Sequence, residues 1–132
     1  MVKSRLAVFV AACGLSLAGG AAHATSPDRL LQSCQAIIRT TGNAESRSVG
    51  IPVAGLACWY YMAAVQDLSV VVDQNGRHLL GVCAPKNTTL MQYVRIFARY
   101  AKGHPNESAD GAGALALRGL VRAFPCRPAT AS

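Results

Sequence analysis

Residues 81–105 read GVCAPKNTTLMQYVRIFARYAKGHP, and this stretch decides the fold. Thr88 or Thr89 stands where a helix N-cap is wanted, ahead of an apolar pattern. Leu90, Val94, Phe97 and Ala101 recur at helical spacing and share one face, with Met91 beside them. Arg95, Arg99 and Lys102 fall on the opposite side as a basic stripe. Gly103-His104-Pro105 then stops the helix, because proline cannot continue it and the residue before it avoids helical backbone. The spacing therefore predicts an amphipathic helix of about four turns (3.6 residues each), with a cysteine, Cys83, just upstream.

The flanking sequence supplies three more helices. Ser26-Pro27-Asp28 reads as an N-cap followed by proline at the first helical position, and Leu30, Leu31, Cys34, Ile37 and Ile38 form one face. Thr40 to Pro52 is polar and Gly-containing, so it is expected to be a loop. VAGLACWYYMAAVQDLSVVV, residues 53–72, is apolar almost all round and is expected to be the central helix. Its end, Val70-Val71-Val72, is β-branched and is open to a short strand instead. Asp73-Gln74-Asn75-Gly76 is a turn signal. The fourth helix is expected from near Ser108, carrying Ala112, Leu115, Leu117, Leu120, Val121 and Phe124, with Pro125 ending it. Gly111, Gly113 and Gly119 lower its helicity by up to about 1 kcal/mol each against alanine, so it must rely on packing and permits close helix approach. The fold expected is all-α, a small four-helix bundle, as a single domain over residues 25–132.

The N-terminus has a different character. Lys3 and Arg5 precede an apolar run that leads to Ala22-His23-Ala24, the layout of a secretory signal peptide over residues 1–24 with cleavage after Ala24. A membrane anchor is disfavoured, because the run is short, is broken by Gly19-Gly20 and is followed by no second span. Lipidation at Cys13 is a further alternative, although only a short apolar stretch precedes it. The expected location is the periplasm. Loss of the leader takes Cys13, Lys3 and Arg5 with it, so the net charge falls from +7 to +5 and five cysteines become four: Cys34, Cys58, Cys83 and Cys126.

An even cysteine count in an exported chain points to two disulfides. Spacing alone leaves three connectivities open. In an up-and-down bundle the start of helix three lies beside the end of helix four, which favours Cys83–Cys126 and leaves Cys34–Cys58. A zinc site using His78 or His104 is disfavoured, because there is no CxxC and the gaps are long and irregular. No cofactor is expected. The acidic residues Asp28, Glu45, Asp67, Asp73, Glu107 and Asp110 read as caps, turns and loop positions. There is no GxSxG, HExxH or phosphate-binding glycine loop, and oxidised cysteines offer no thiolate, so no catalytic residue is assigned. There is also no Lys/Arg block and no RNA-binding aromatic pattern, which argues against nucleic acid. The basic balance suits an acidic protein partner or the anionic envelope.

Four motifs in order carry a resemblance. They are Cys58-Trp59-Tyr60-Tyr61-Met62-Ala63-Ala64-Val65-Gln66-Asp67, then Cys83-Ala84-Pro85, then Tyr100-Ala101 with His104-Pro105, and finally Phe124-Pro125-Cys126. In order and spacing the chain resembles the Rap/Tai-type immunity proteins of bacterial type VI secretion over most of its mature length. Tyr60 and Ala64 depart from it, standing where the family pattern has glycine, and a bulky Tyr60 could alter helix packing or a dimer contact. The resemblance implies an exported helical protein that binds a cognate effector, a peptidoglycan-cutting amidase, and blocks its active site. A homodimer stays open. The alternative is a general envelope protein such as a small acid-stress chaperone. The contact elements expected first are the polar Thr41–Ser48 segment and the Asp73–His78 turn with Arg77. Arg95, Arg99 and Lys102 are the second surface.

Overall fold

The computed structural model describes residues 25–42 and 50–126. The leader with Cys13 and the Ala24 cleavage site lies outside the described residues, as does most of the Thr41–Ser48 segment. Four α-helices form: α1 Pro27–Thr41, α2 Leu56–Ser69, α3 Leu90–Gly103 and α4 Ala112–Ala123. Short 3₁₀ segments, Val53–Gly55 and Pro105–Asp110, precede α2 and α4. Among the described residues there is no strand, only two isolated antiparallel bridges, Val72 with His78 and Val82 with Pro125. The all-α class and the four-helix arrangement are as the periodicity predicts.

Local chemistry sets the helix ends. Ser26 is extended and Pro27 opens α1, where a missing N–H costs nothing. Thr89 caps α3 through a reciprocal box: its side chain accepts from the Gln92 backbone N–H, and Gln92 Oε1 accepts from the Thr89 N–H at 2.7 Å. α3 stops at Gly103, with the His104 Nδ1–H donating to the Tyr100 carbonyl at 2.8 Å.

Two helices differ from expectation. α2 ends at Ser69 instead of running through Val72, and Val70–Val72 do not form a strand either. The Ser69 carbonyl accepts from the His78 ring at 2.8 Å, which turns the chain back as soon as the helix ends. α4 begins at Ala112, later than Ser108, because Pro105 starts a 3₁₀ segment and Gly111 breaks it at φ +87°, a conformation disfavoured for residues with a Cβ. Val121 of α4 is exposed.

The central helix is α3, not α2. α3 buries Tyr93, Val94, Phe97, Ala98 and Ala101 and packs against all three other helices. α2 buries only Cys58, Met62 and Ser69. Its apolar side chains are spread round the axis, so packing one side leaves Tyr60 and Leu68 in solvent, whereas α3 concentrates its apolar groups on one face. Tyr60 is 68% exposed, so its bulk displaces nothing in the core.

Both disulfides join the residues that an up-and-down bundle favours. Cys34–Cys58 links α1 to α2 with Cα atoms 5.0 Å apart, and Cys83–Cys126 links the approach to α3 with the end of α4 at 4.9 Å. Beside the first, Ser33 Oγ donates to the Ala54 carbonyl at 2.7 Å and accepts from the Cys58 N–H at 3.0 Å, satisfying a donor in the first turn of α2. Beside the second, the Cys83 N–H donates to the Phe124 carbonyl at 2.9 Å, so the C-terminal cysteine is held by backbone as well as sulfur. Loops of this length give each bridge about 3–4 kcal/mol by the chain-entropy estimate.

Two outcomes follow from this packing. Replacing Cys83 and Cys126 together by serine should cost about 2–5 kcal/mol in denaturant unfolding, and non-reducing peptide mapping should recover the pairs Cys34–Cys58 and Cys83–Cys126. A Cβ at Gly55 would come 2.4 Å from Ile37 Cγ1, whereas one at Gly103 meets nothing within 4 Å. Gly55→Ala should therefore destabilise by about 1–3 kcal/mol, and Gly103→Ala should stay within about 0.5–1 kcal/mol of the parent.

Candidate functional site

The segment after α2 is built by a few local contacts. Ser69 Oγ shares a 2.8 Å hydrogen bond with Tyr93 Oη in the interior, and its carbonyl takes the His78 ring. Between these anchors the chain makes a narrow turn: the Leu79 N–H donates to the Val71 carbonyl at 3.0 Å and the Asp73 N–H to the Arg77 carbonyl at 2.8 Å. Gly76 takes φ +74°, which the tight reversal requires. Asp73 organises the tip, as aspartate does in turns. One carboxylate oxygen accepts from the backbone N–H groups of Asn75 and Arg77, and the other accepts from Arg77 Nε and pairs with Nη2, both at 2.8 Å.

The electrostatic result is a carboxyl held below its ordinary value. The largest cause is the Arg77 backbone N–H; burial opposes it, and the Arg77 side chain and Asn75 add to it. Asp73 is thus fixed as an anion already spoken for, a poor choice for proton transfer. The Arg77 side chain is 78% exposed although paired, so it presents its outer edge to solvent.

Leu68, Val70, Val71, Val72 and Leu79 are all exposed around this tip. Contiguous exposed apolar side chains with charged neighbours mark contact surfaces more often than isolated ones do. The run of valines that reads as the tail of a helix is therefore the apolar edge of the turn. Periodicity cannot find this edge, because a short apolar run looks the same whether it is buried or displayed.

The second predicted surface is separate. Arg95, Arg99 and Lys102 are exposed on α3, as the pattern implies. Arg77 lines a hollow with Asp73, His78 and Leu79, whereas Arg99 lines another with Tyr100, His104 and Arg122. The structure does not gather the four cations into one site. Arg122, absent from the predicted set, joins Arg99 because α4 runs beside α3.

The cysteines, the two described histidines and the acids Glu107 and Asp110 are occupied. Cys34, Cys58, Cys83 and Cys126 are all in disulfides, Glu107 and Asp110 both bind Arg118, and no group of metal-ligating side chains assembles among the described residues. His78 and His104 each spend Nδ1 on a backbone carbonyl. What the described surface offers is contact, through an apolar edge with a structured charged tip.

Lowering the pH tests the tip. Because the folded carboxyl of Asp73 lies below its unfolded value, its contribution is complete above the ordinary aspartate value of about 3.9 and is lost as pH falls through the lower folded value. The Asn75 and Arg77 amides should then lose protection relative to their intrinsic exchange rates at acid pH, and Asp73→Asn should show the same loss of protection at neutral pH with little change in Tm.

A family model described as Rap1a immunity proteins matches residues 26–126. No curated protein and no solved structure matches the chain.

Proposed function

The chain belongs to the Rap1a immunity proteins, and from that membership we propose that it is exported to the periplasm and neutralises a cell-wall amidase effector by occluding its active site. The observation that supports occlusion is the Val70–Leu79 turn. It projects an apolar edge and a charged tip that are held rigidly from within, by Asp73 at the tip and by Ser69 and His78 at the base. A preorganised loop loses little conformational entropy on docking, which is what a tight inhibitor needs. The turn enters the cleft and excludes substrate, and no chemistry of its own is required.

In this reading Val70, Val72 and Leu79 supply the apolar contact, and Arg77 supplies charge at the rim of the cleft. Arg77 is already paired, so an acidic group of the effector shares it with Asp73 instead of meeting a lone cation. The leader over residues 1–24 directs the chain to an oxidising compartment and is removed, and there Cys34–Cys58 and Cys83–Cys126 form and persist. Confinement of the exposed apolar side chains largely to α2 and this turn favours one docking contact over the broad apolar surface that an acid-stress chaperone releases.

The experiment is to assay any cell-wall hydrolase encoded beside this gene for inhibition by the purified exported protein. Stoichiometric inhibition is expected. Leu79→Asp and Arg77→Glu should each weaken binding by about 1–3 kcal/mol, the range of an interface anchor, with Tm nearly unchanged because both positions are exposed. Absence of binding to any linked hydrolase would remove this reading.

A further inference from the structure

The α3–α4 groove carries a second feature that the turn does not use. It is an open hollow of about 460 Å³ lined by Ile96, Arg99, Tyr100 and His104 on one side and by Gly119, Arg122 and Ala123 on the other. Its shape depends on Gly119, where a Cβ would come 2.9 Å from Tyr100 Cβ. The missing side chain lets Tyr100 lie against α4. The Tyr100 ring then stacks on His104, with centroids 4.0 Å apart and planes 12° from parallel.

The charge in the hollow is one-sided. Arg99 and Arg122 are exposed at its edge, and neither is paired with an acidic group among the described residues. Glu107 and Asp110, on the segment between α3 and α4, are both held by Arg118, at 2.9 and 2.6 Å. Glu107 also accepts from Tyr100 Oη at 3.2 Å. These two carboxylates are thus engaged by a third arginine, and the hollow is lined by two guanidinium groups beside an aromatic wall. Guanidinium forks bind carboxylates with directional, charge-assisted hydrogen bonds.

We infer that the groove between α3 and α4 is a carboxylate-binding site that takes an acidic side chain of a protein partner between Arg99 and Arg122. A protein carboxylate is favoured over a lipid surface by shape. The hollow is concave, and the large exposed apolar residues lie mainly on α2 and the turn after it, with only Val121 on α4. A membrane-binding face pairs its cations with exposed apolar groups on the same side. The identity of the partner as the effector rests on the proposed immunity function; the ligand chemistry of the groove does not.

The test uses the purified exported protein and a capped heptapeptide with Asp-Glu at its centre, beside its Asn-Gln twin. In NMR titration the acidic peptide should shift the Arg99, Tyr100, His104 and Arg122 signals, and the twin should not. R99E/R122E should weaken the acidic peptide at least tenfold. R99Q/R122Q, which introduces no new charge near the end of α4, should do the same and guards against a folding defect. Equal binding of both peptides, or full retention in the double variants, overturns the site. Arginine-dependent binding of phosphatidylglycerol vesicles without binding of the acidic peptide overturns the protein-carboxylate assignment. A linked hydrolase that binds wild type and R99E/R122E equally refutes the effector as occupant. Failure of wild type to bind any linked hydrolase counts against the immunity reading alone, and the peptide titration still decides the groove.

Discussion

One hydrogen bond joins the core to the exposed turn after α2. Tyr93 is buried in the middle of the bundle, and its hydroxyl has to be satisfied there, since an unpaired buried hydroxyl costs about 1–3 kcal/mol. Ser69 satisfies it at 2.8 Å, which fixes where α2 must end relative to α3. The same serine lends its carbonyl to His78, and that contact sets the angle at which the following turn leaves the helix. Core packing, helix length and loop direction are therefore one problem, solved around Tyr93, Ser69 and His78.

The two disulfides work at the other seams. Cys34–Cys58 sits where Ile37 presses on Gly55 and where Ser33 caps the chain entering α2. Cys83–Cys126 sits where Val82 and Pro125 bridge. Backbone contact and covalent link coincide in both places. This explains why the motifs that carry the family resemblance are rich in cysteine, proline and small residues. Cys58, Cys83, Phe124, Pro125 and Cys126 belong to the seams, while His104 ends α3. These residues specify a scaffold, and partner choice is written elsewhere.

The scaffold was legible because its signals are local. The Thr89 cap, the α3 face and the Gly103-His104-Pro105 stop each act within a few residues. The disulfide pairing followed from the antiparallel order of the helices. Which helix is central was not legible from overall apolarity: α2 carries more apolar residues than it can bury, and what counts is their concentration on one side, as in α3. The limit of α2 was hidden as well, because it depends on Tyr93 and His78, far along the chain. Arg77 was found as part of a turn, but its partner Asp73 and the valine edge beside it emerge only once the turn is folded. Arg122 had no signal, since only the packing of α4 on α3 sets it opposite Arg99.

The turn after α2 keeps its outline through contacts that face inward or along the chain: Asp73 to the backbone at the tip, Gly76 at the reversal and His78 at the base. None of these contacts involves the side chains of Val70, Gln74 or Leu79, which are exposed. The contacts that shape this short segment and the Val70 and Leu79 side chains it displays thus belong to different residues. Substitutions at the outward positions can change what the edge displays without testing the stability of the bundle. Related chains should differ most on this outward edge and least at the positions that hold it up.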